Sequence, residues 1–295
     1  MDMRRDLQGA PLAIAAALLF GLVSVAAKST AAHPLLKAGI AYLIAGLVLS
    51  TTPRRIRIGP RDWPKVLAMS LLGGAIAPTL LFIGLDRTTA ATASILLTLE
   101  MVFTAVLATV FLRERTRGRA LVGIALLFLA ALLAGVPTAD AGSTTLAGAA
   151  LVAAAALGWG IDNTISAKLV GAYRPQQLVA IKGLVGGSAA LTVAVARGAD
   201  LTMGALDLAR VAFVGLLGVG ASILLFYGAL GRIGATRTTA IFIPVAALAG
   251  VAGGWLILRE PIGWQHTLAA GLVVAGVLLG VAPTGGLSRR GTRSV

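Results

Sequence analysis

The 295-residue chain contains no cysteine, only two histidines and 12% charged residues, about half of the roughly 25% usual in soluble domains. Without cysteine there are no disulfides, no thiolate metal sites and no thiol nucleophiles, and nothing marks a redox compartment. With His33 and His266 as the only histidines, a His-based metal cluster is not expected, and no cofactor is expected either. Acidic residues are scarce, 11 against 25 Lys and Arg, which leaves a formal charge of +14. This excess does not form the basic stripe with interleaved aromatics that binds nucleic acid. It falls in short gaps between apolar runs, as in Arg54, Arg55, Arg57 and Arg61, or Arg113, Arg115, Arg117 and Arg119. No nucleic-acid partner is expected.

What the chain has in abundance is apolar surface: 58% hydrophobic residues, 37 glycines and a mean hydropathy of +0.93. A membrane-crossing helix needs about 20 mostly apolar residues. Suitable runs fall at about 10 to 27, 33 to 51, 65 to 85, 90 to 112, 120 to 136, 146 to 167, 176 to 196, 208 to 230, 235 to 258 and 266 to 282. The fold class expected is therefore an all-α membrane protein of ten transmembrane helices. The first run follows Arg4 and Arg5 and could pass for a signal peptide, but nine further runs argue for an uncleaved helix. An even number of spans puts both termini on one side. That side collects eighteen Lys and Arg and the other six, with Lys182 inside a helix and left uncounted. The positive-inside rule then makes both termini of this multi-pass protein cytoplasmic.

Two internal echoes suggest how the helices are arranged. Leu81-Phe82-Ile83-Gly84, Ala91-Thr92 and Leu112-Arg113-Glu114 return as Leu225-Phe226-Tyr227-Gly228, Ala235-Thr236 and Leu258-Arg259-Glu260. A weaker echo links Phe20-Gly21 and Lys28 to Trp159-Gly160 and Lys168. Each half then holds five helices, 1–136 and 146–295 with its short basic tail, joined by a loop at 137–145. Because five is odd, the second half enters the membrane in the opposite sense, giving two inverted five-helix repeats. In transporters this arrangement places the substrate near the midplane, between halves that rock to give alternating access.

Charges inside hydrocarbon cost roughly 2.5 to 3.5 kcal/mol each on insertion scales, so each asks for a partner or a function. Glu100 falls near the middle of its run, where a carboxyl in a low-dielectric setting can exchange protons near neutral pH or bind a cationic group. Asp162, beside Asn163, and Lys182 lie at matching depths on consecutive helices, which predicts an ion pair between them. Trp159 is a candidate cavity-lining ring next to Asp162. Lys37 is expected to snorkel to the surface, and Glu114 and Glu260 to pair structurally at helix ends. Pro78 and Pro244 interrupt their runs and are candidate hinges that free backbone carbonyls. The pairs Gly183/Gly187, Gly250/Gly254 and Gly276/Gly280 permit close helix contact, within the chain or in a homodimer.

These features resemble the EamA-like branch of the drug/metabolite transporter superfamily. The likeness rests on the two five-helix halves, the aromatic-Gly pairs Phe20-Gly21 and Trp159-Gly160, and the Leu-Arg-Glu endings at Glu114 and Glu260. Leu97-Thr98-Leu99-Glu100, Trp159-Gly160-Ile161-Asp162-Asn163 and Ile181-Lys182-Gly183-Leu184 look like a bacterial and archaeal subgroup of permeases. The resemblance implies an inner-membrane secondary transporter that exports a small polar metabolite such as an amino acid, rather than an enzyme. Where many family members carry Pro in the fourth helix, this chain has Glu100. Two alternatives remain: an exporter of hydrophobic cations, disfavoured by the small number of aromatic residues, and a membrane-embedded lipid transferase, disfavoured by the lack of paired carboxylates at short spacing.

Overall fold

The computed structural model describes residues 3–51, 58–111, 118–137, 144–169 and 172–281, with the side chains of 3–8, 234–236 and 281 excepted. Glu114, most of the 113–119 basic gap, the whole of 52–57, most of the 137–145 loop and the tail beyond 281 lie outside that set. The described chain is helical, with no β-strand. Its helices are α1 (Met3–Gly21), α2 (Val23–Lys28), α3 (Pro34–Ser50), α4 (Trp63–Leu71), α5 (Ala77–Leu85), α6 (Ala90–Leu96), α7 (Leu99–Phe111), α8 (Arg119–Gly135), α9 (Leu146–Ala167), α10 (Pro175–Ala196), α11 (Ala205–Phe213), α12 (Ser222–Leu256) and α13 (Trp264–Val281). π-Helical turns join α4 to α5 (Leu72–Ile76) and α11 to α12 (Val214–Ala221). Among the described residues, seven stretches are long and apolar enough to cross a bilayer, and Pro34–Ser50, Arg119–Gly135 and Trp264–Gly280 are shorter apolar helices. The chain is a multi-pass membrane protein.

Local chemistry starts the helices where the sequence allows. The hydroxyl of Thr89 accepts from Thr92 N–H at the head of α6, Thr145 accepts from Gly148 N–H at the head of α9, and Pro34 and Pro175 occupy first-turn positions of α3 and α10. Trp63 at one end of the bundle, and Trp255 and Trp264 at the other, face outward, as interfacial anchors do.

The segment assigned to α12 cannot be one straight rod. Phe226 and Phe242 stand sixteen residues apart, about 24 Å along a straight helix, yet their ring centroids are 5.0 Å apart. Packing on α1 gives the directions of its two arms. Gly9, Leu12 and Ala16 meet Ile233, Gly228 and Ser222, an antiparallel series, whereas Gly21 and Leu22 meet Ala246 and Gly253, a parallel one. The segment therefore doubles back between Ile233 and Arg237, and the two candidate spans Ala205–Ile233 and Arg237–Leu256 run oppositely.

Glycines set the closest crossings. Gly46 of α3 lies against the backbone of Gly183 and Leu184 of α10, and Gly39 lies against Gly187, so these helices cross antiparallel at backbone distance. Gly123 of α8 meets Gly276 and Gly280 of α13 in the same manner.

The two ends of the bundle differ. At the end carrying His266, Lys28 donates to the carbonyls of Leu85 (2.7 Å) and Thr88 (2.6 Å), and Glu260 accepts from the N–H groups of Ala90 (2.7 Å) and Ala91 (3.0 Å). Nδ1 of His266 accepts from Gly263 N–H, so Nε2 carries the proton and donates to Thr92, whose hydroxyl also lies 3.2 Å from that of Thr144. Lys37 belongs to this sealed end and does not snorkel. It is 1% exposed, with Nζ 3.4 Å from the carbonyls of Ala27 and Thr30 and 3.6 Å from Asp86. Carbonyls where α2 ends and a carboxylate after α5 supply partners inside the protein, so the side chain has no need to reach the surface.

Candidate functional site

A cavity of about 660 Å³ lies between α1, α3, α7, α9, α10 and both arms of α12. This size suits a small organic molecule. Its lining runs from Ser24 and Ser94 to Ala108, Tyr227 and Thr239, toward the end away from His266, where α7 terminates. The stretch Ala90–Phe111 is bent where it borders the cavity. Between α6 and α7 the helix tightens to i→i−3 bonds, Glu100 N–H to Leu97 O and Met101 N–H to Thr98 O, both 3.1 Å, and the Thr98 hydroxyl takes the carbonyl of Ile95. α6 packs against α12, whereas α7 leans on α8 and α9 and makes no extended contact with α12.

Glu100, Asp162, Asn163, Lys182 and Trp159 all line this cavity, and the structure joins them in two groups. Asp162 is fully buried. Its Oδ2 accepts from Lys182 Nζ in an ion pair, and its Oδ1 accepts from the Ser166 hydroxyl at 3.1 Å, so both oxygens are occupied. Glu100 stands in the first turn of α7. Its Oε1 accepts from Asn163 Nδ2 at 2.7 Å, and Oε2 has no described partner. Asn163 lies 3.5 Å from the Thr104 hydroxyl as well.

The turn before Pro78 makes room for the ion pair and positions Trp159. In the π-turn, Ala77 N–H bonds to Leu72 O, five residues back. The next bond in that register would run from residue 78 to Gly73 O, but proline has no N–H. The freed carbonyl accepts instead from the Trp159 indole N–H at 2.9 Å, which also lies 3.2 Å from the Tyr42 hydroxyl. A Cβ on Gly73 would collide with the Asp162 carboxylate, so glycine is required where this turn passes the pair. Pro78 and Pro244 themselves are absent from the large cavity's lining. α12 stays helical through Pro244, whereas the π-turn at Val214–Ala221 contains no proline at all.

Sequence reasoning named Phe20, Phe226 and Tyr227 only as repeat positions and did not name Tyr42 or Phe242, yet these five form much of the aromatic wall. Phe242 contacts both Phe20 (5.5 Å between centroids) and Phe226 (5.0 Å). The repeats held the signal. Phe20-Gly21 and Trp159-Gly160 each send a ring into the cavity, and each glycine lets another helix close in, Ala246 on Gly21 and Phe103 on Gly160.

The model of the EamA-like transporter family matches residues 7–136 and again residues 146–282. An uncharacterized transporter of Methanothermobacter thermautotrophicus is 30% identical over 300 residues, covering 93% of this chain and 86% of its own length. One from Archaeoglobus fulgidus is 26% identical over 228 residues, covering 76% of this chain and 79% of the relative. A solved structure described only as a protein crystal structure superposes with a TM-score of 0.67 at 18% identity, over 92% of this chain and 95% of that one, a likeness of fold.

Proposed function

The chain belongs to the EamA-like transporter family, and from this premise we propose that it is a secondary transporter working by alternating access, with the Glu100 cavity as its substrate chamber. The observation that carries this reading is the pairing of a cavity reaching one end of the bundle with hydrogen-bonded closure of the other. Glu100 is the carboxylate that takes up a proton or the positive group of a small metabolite, an amino acid or an amine. Asp162, Lys182, Asn163 and Trp159 shape the chamber around it.

In this reading all ten apolar stretches cross the membrane, since the shorter helices, at 17 or so residues, span about 25 Å. The halves are inverted repeats. Support comes from the double family match, from π-turns in the third stretch of each half, and from the antiparallel crossings of α3 with α10 and α8 with α13. Eighteen basic residues on the side of the termini orient the open end toward the cytoplasm, in the inner membrane, which suits an exporter loading from inside.

The test starts with a screen of small metabolites for those that raise the melting temperature of the purified protein, since a ligand of the native state must stabilise it. Flux of each such solute is then measured in proteoliposomes under a pH gradient. Glu100→Gln should abolish gradient-driven flux while the protein elutes and melts as a folded species. Undiminished flux overturns the role of Glu100.

A further inference from the structure

We propose that the solute is an organic monocation, an ammonium group on an aromatic or apolar body, exchanged one for one against a proton at Glu100. This rests on the transporter reading above and narrows its substrate class.

The charge inventory of the chamber carries the inference. Among the described residues, three charged side chains line it: Glu100, Asp162 and Lys182. Lys182 and Asp162 neutralise each other in direct contact, and Ser166 completes the coordination of Asp162. One carboxylate is left over, with one oxygen held by Asn163 and the other without a partner among the described residues. A single positive charge balances it, and either a proton or an ammonium supplies that charge. No uncompensated cation remains for an anionic group: Lys182 already balances Asp162, and a substrate carboxylate would add a second negative charge beside Glu100. The chamber therefore disfavours anions outright and zwitterions in part.

The walls select the rest of the molecule. Phe20, Tyr42, Trp159, Phe226, Tyr227 and Phe242 line this one cavity, six of the chain's eight Phe, three Tyr and four Trp. The rarity of aromatics in the sequence is thus reversed locally. Rings around an uncompensated carboxylate favour a cation with a flat or greasy body, through apolar contact and cation–π attraction.

The exchange balances in atoms and charge. On one side, the Glu100 carboxylic acid releases its proton to water and the carboxylate binds the ammonium. On the other, a proton from water displaces the ammonium. One positive charge moves each way, so the cycle is electroneutral and responds to a pH gradient but not to membrane potential.

The test uses three probes that share a phenyl ring and differ in charge: phenethyltrimethylammonium, which cannot cross lipid by losing a proton, phenylalanine and 3-phenylpropionate. Calorimetry on the full-length protein in detergent should show binding of the cation alone, with affinity falling as pH is lowered. Glu100→Gln should weaken it by about thirtyfold or more, and Glu100→Asp should restore part of it. In proteoliposomes, a pH gradient should drive cation flux and a potassium diffusion potential should not. Preferential binding of phenylalanine or phenylpropionate overturns the substrate class while leaving the transporter reading intact. Cation binding that ignores pH, or flux driven by potential, overturns the exchange. Binding of none of the three probes to folded wild-type protein also overturns the proposal.

Discussion

The indole N–H of Trp159 donates to the carbonyl of Gly73 across 2.9 Å, and that carbonyl is available because residue 78 is a proline. A helix defect between α4 and α5 is thus converted into a tie to α9, one turn from the ion pair. Trp159→Phe leaves the carbonyl buried without a donor and should cost about 1–3 kcal/mol of stability. In a Pro78→Ala background the backbone regains an N–H, so the same substitution should cost less. Thermal unfolding of the four proteins in detergent measures both effects.

The Asp162–Lys182 pair should behave as a unit. Removing one partner, as in Asp162→Asn or Lys182→Met, strands a charge in a buried site, with an expected loss of about 3–5 kcal/mol. The double variant should be more stable than either single one, because no unpaired charge remains. Denaturant titration of all three against the parent protein checks the ordering.

Gly73 and Gly271 should respond oppositely to alanine. Gly73→Ala drives a methyl group into the Asp162 carboxylate and should destabilise by about 1–3 kcal/mol. Gly271 has open space around it, and alanine there should be neutral or stabilise by up to about 1 kcal/mol through helix propensity. Melting temperatures of the two variants give the comparison.

Glu260 satisfies two N–H groups at the head of α6, at the sealed end of the bundle. Glu260→Ala should cost about 1–3 kcal/mol. Glu260→Gln keeps one acceptor oxygen and should cost less. Melting temperatures again decide.

The sequence made the membrane class readable because apolar runs and basic gaps are local signals. It also made Glu100, Asp162 and Lys182 stand out, since a charge inside an apolar run is conspicuous whatever surrounds it. What it concealed depended on contacts between distant segments. The bend at Leu97–Thr98 carries no glycine or proline, and the π-turn at Val214–Ala221 carries no proline, its one local signal being Gly215, Gly218 and Gly220. Lys37 looked like a surface-seeking side chain because its partners, the carbonyls of Ala27 and Thr30 and the carboxylate of Asp86, come from other elements. The aromatic wall was hidden for the same reason: Phe20, Phe226 and Phe242 are far apart in sequence and meet only when α12 doubles back.

The absence of cysteine allows a direct measurement of whether the chamber is water-filled and used in transport. Ala105 lines the cavity, while its neighbour Val106 is 50% exposed on the outer surface, where lipid would cover it. Single variants Ala105→Cys and Val106→Cys, reconstituted in liposomes, are treated with a small charged thiol reagent that cannot cross lipid. Labelling of the Ala105→Cys variant should be fast, slowed by any solute that raises the melting temperature, and should block flux of that solute, while the Val106→Cys variant stays unmodified. Equal labelling of the two variants, or full transport after complete modification of Ala105→Cys, would contradict a transport chamber at Glu100.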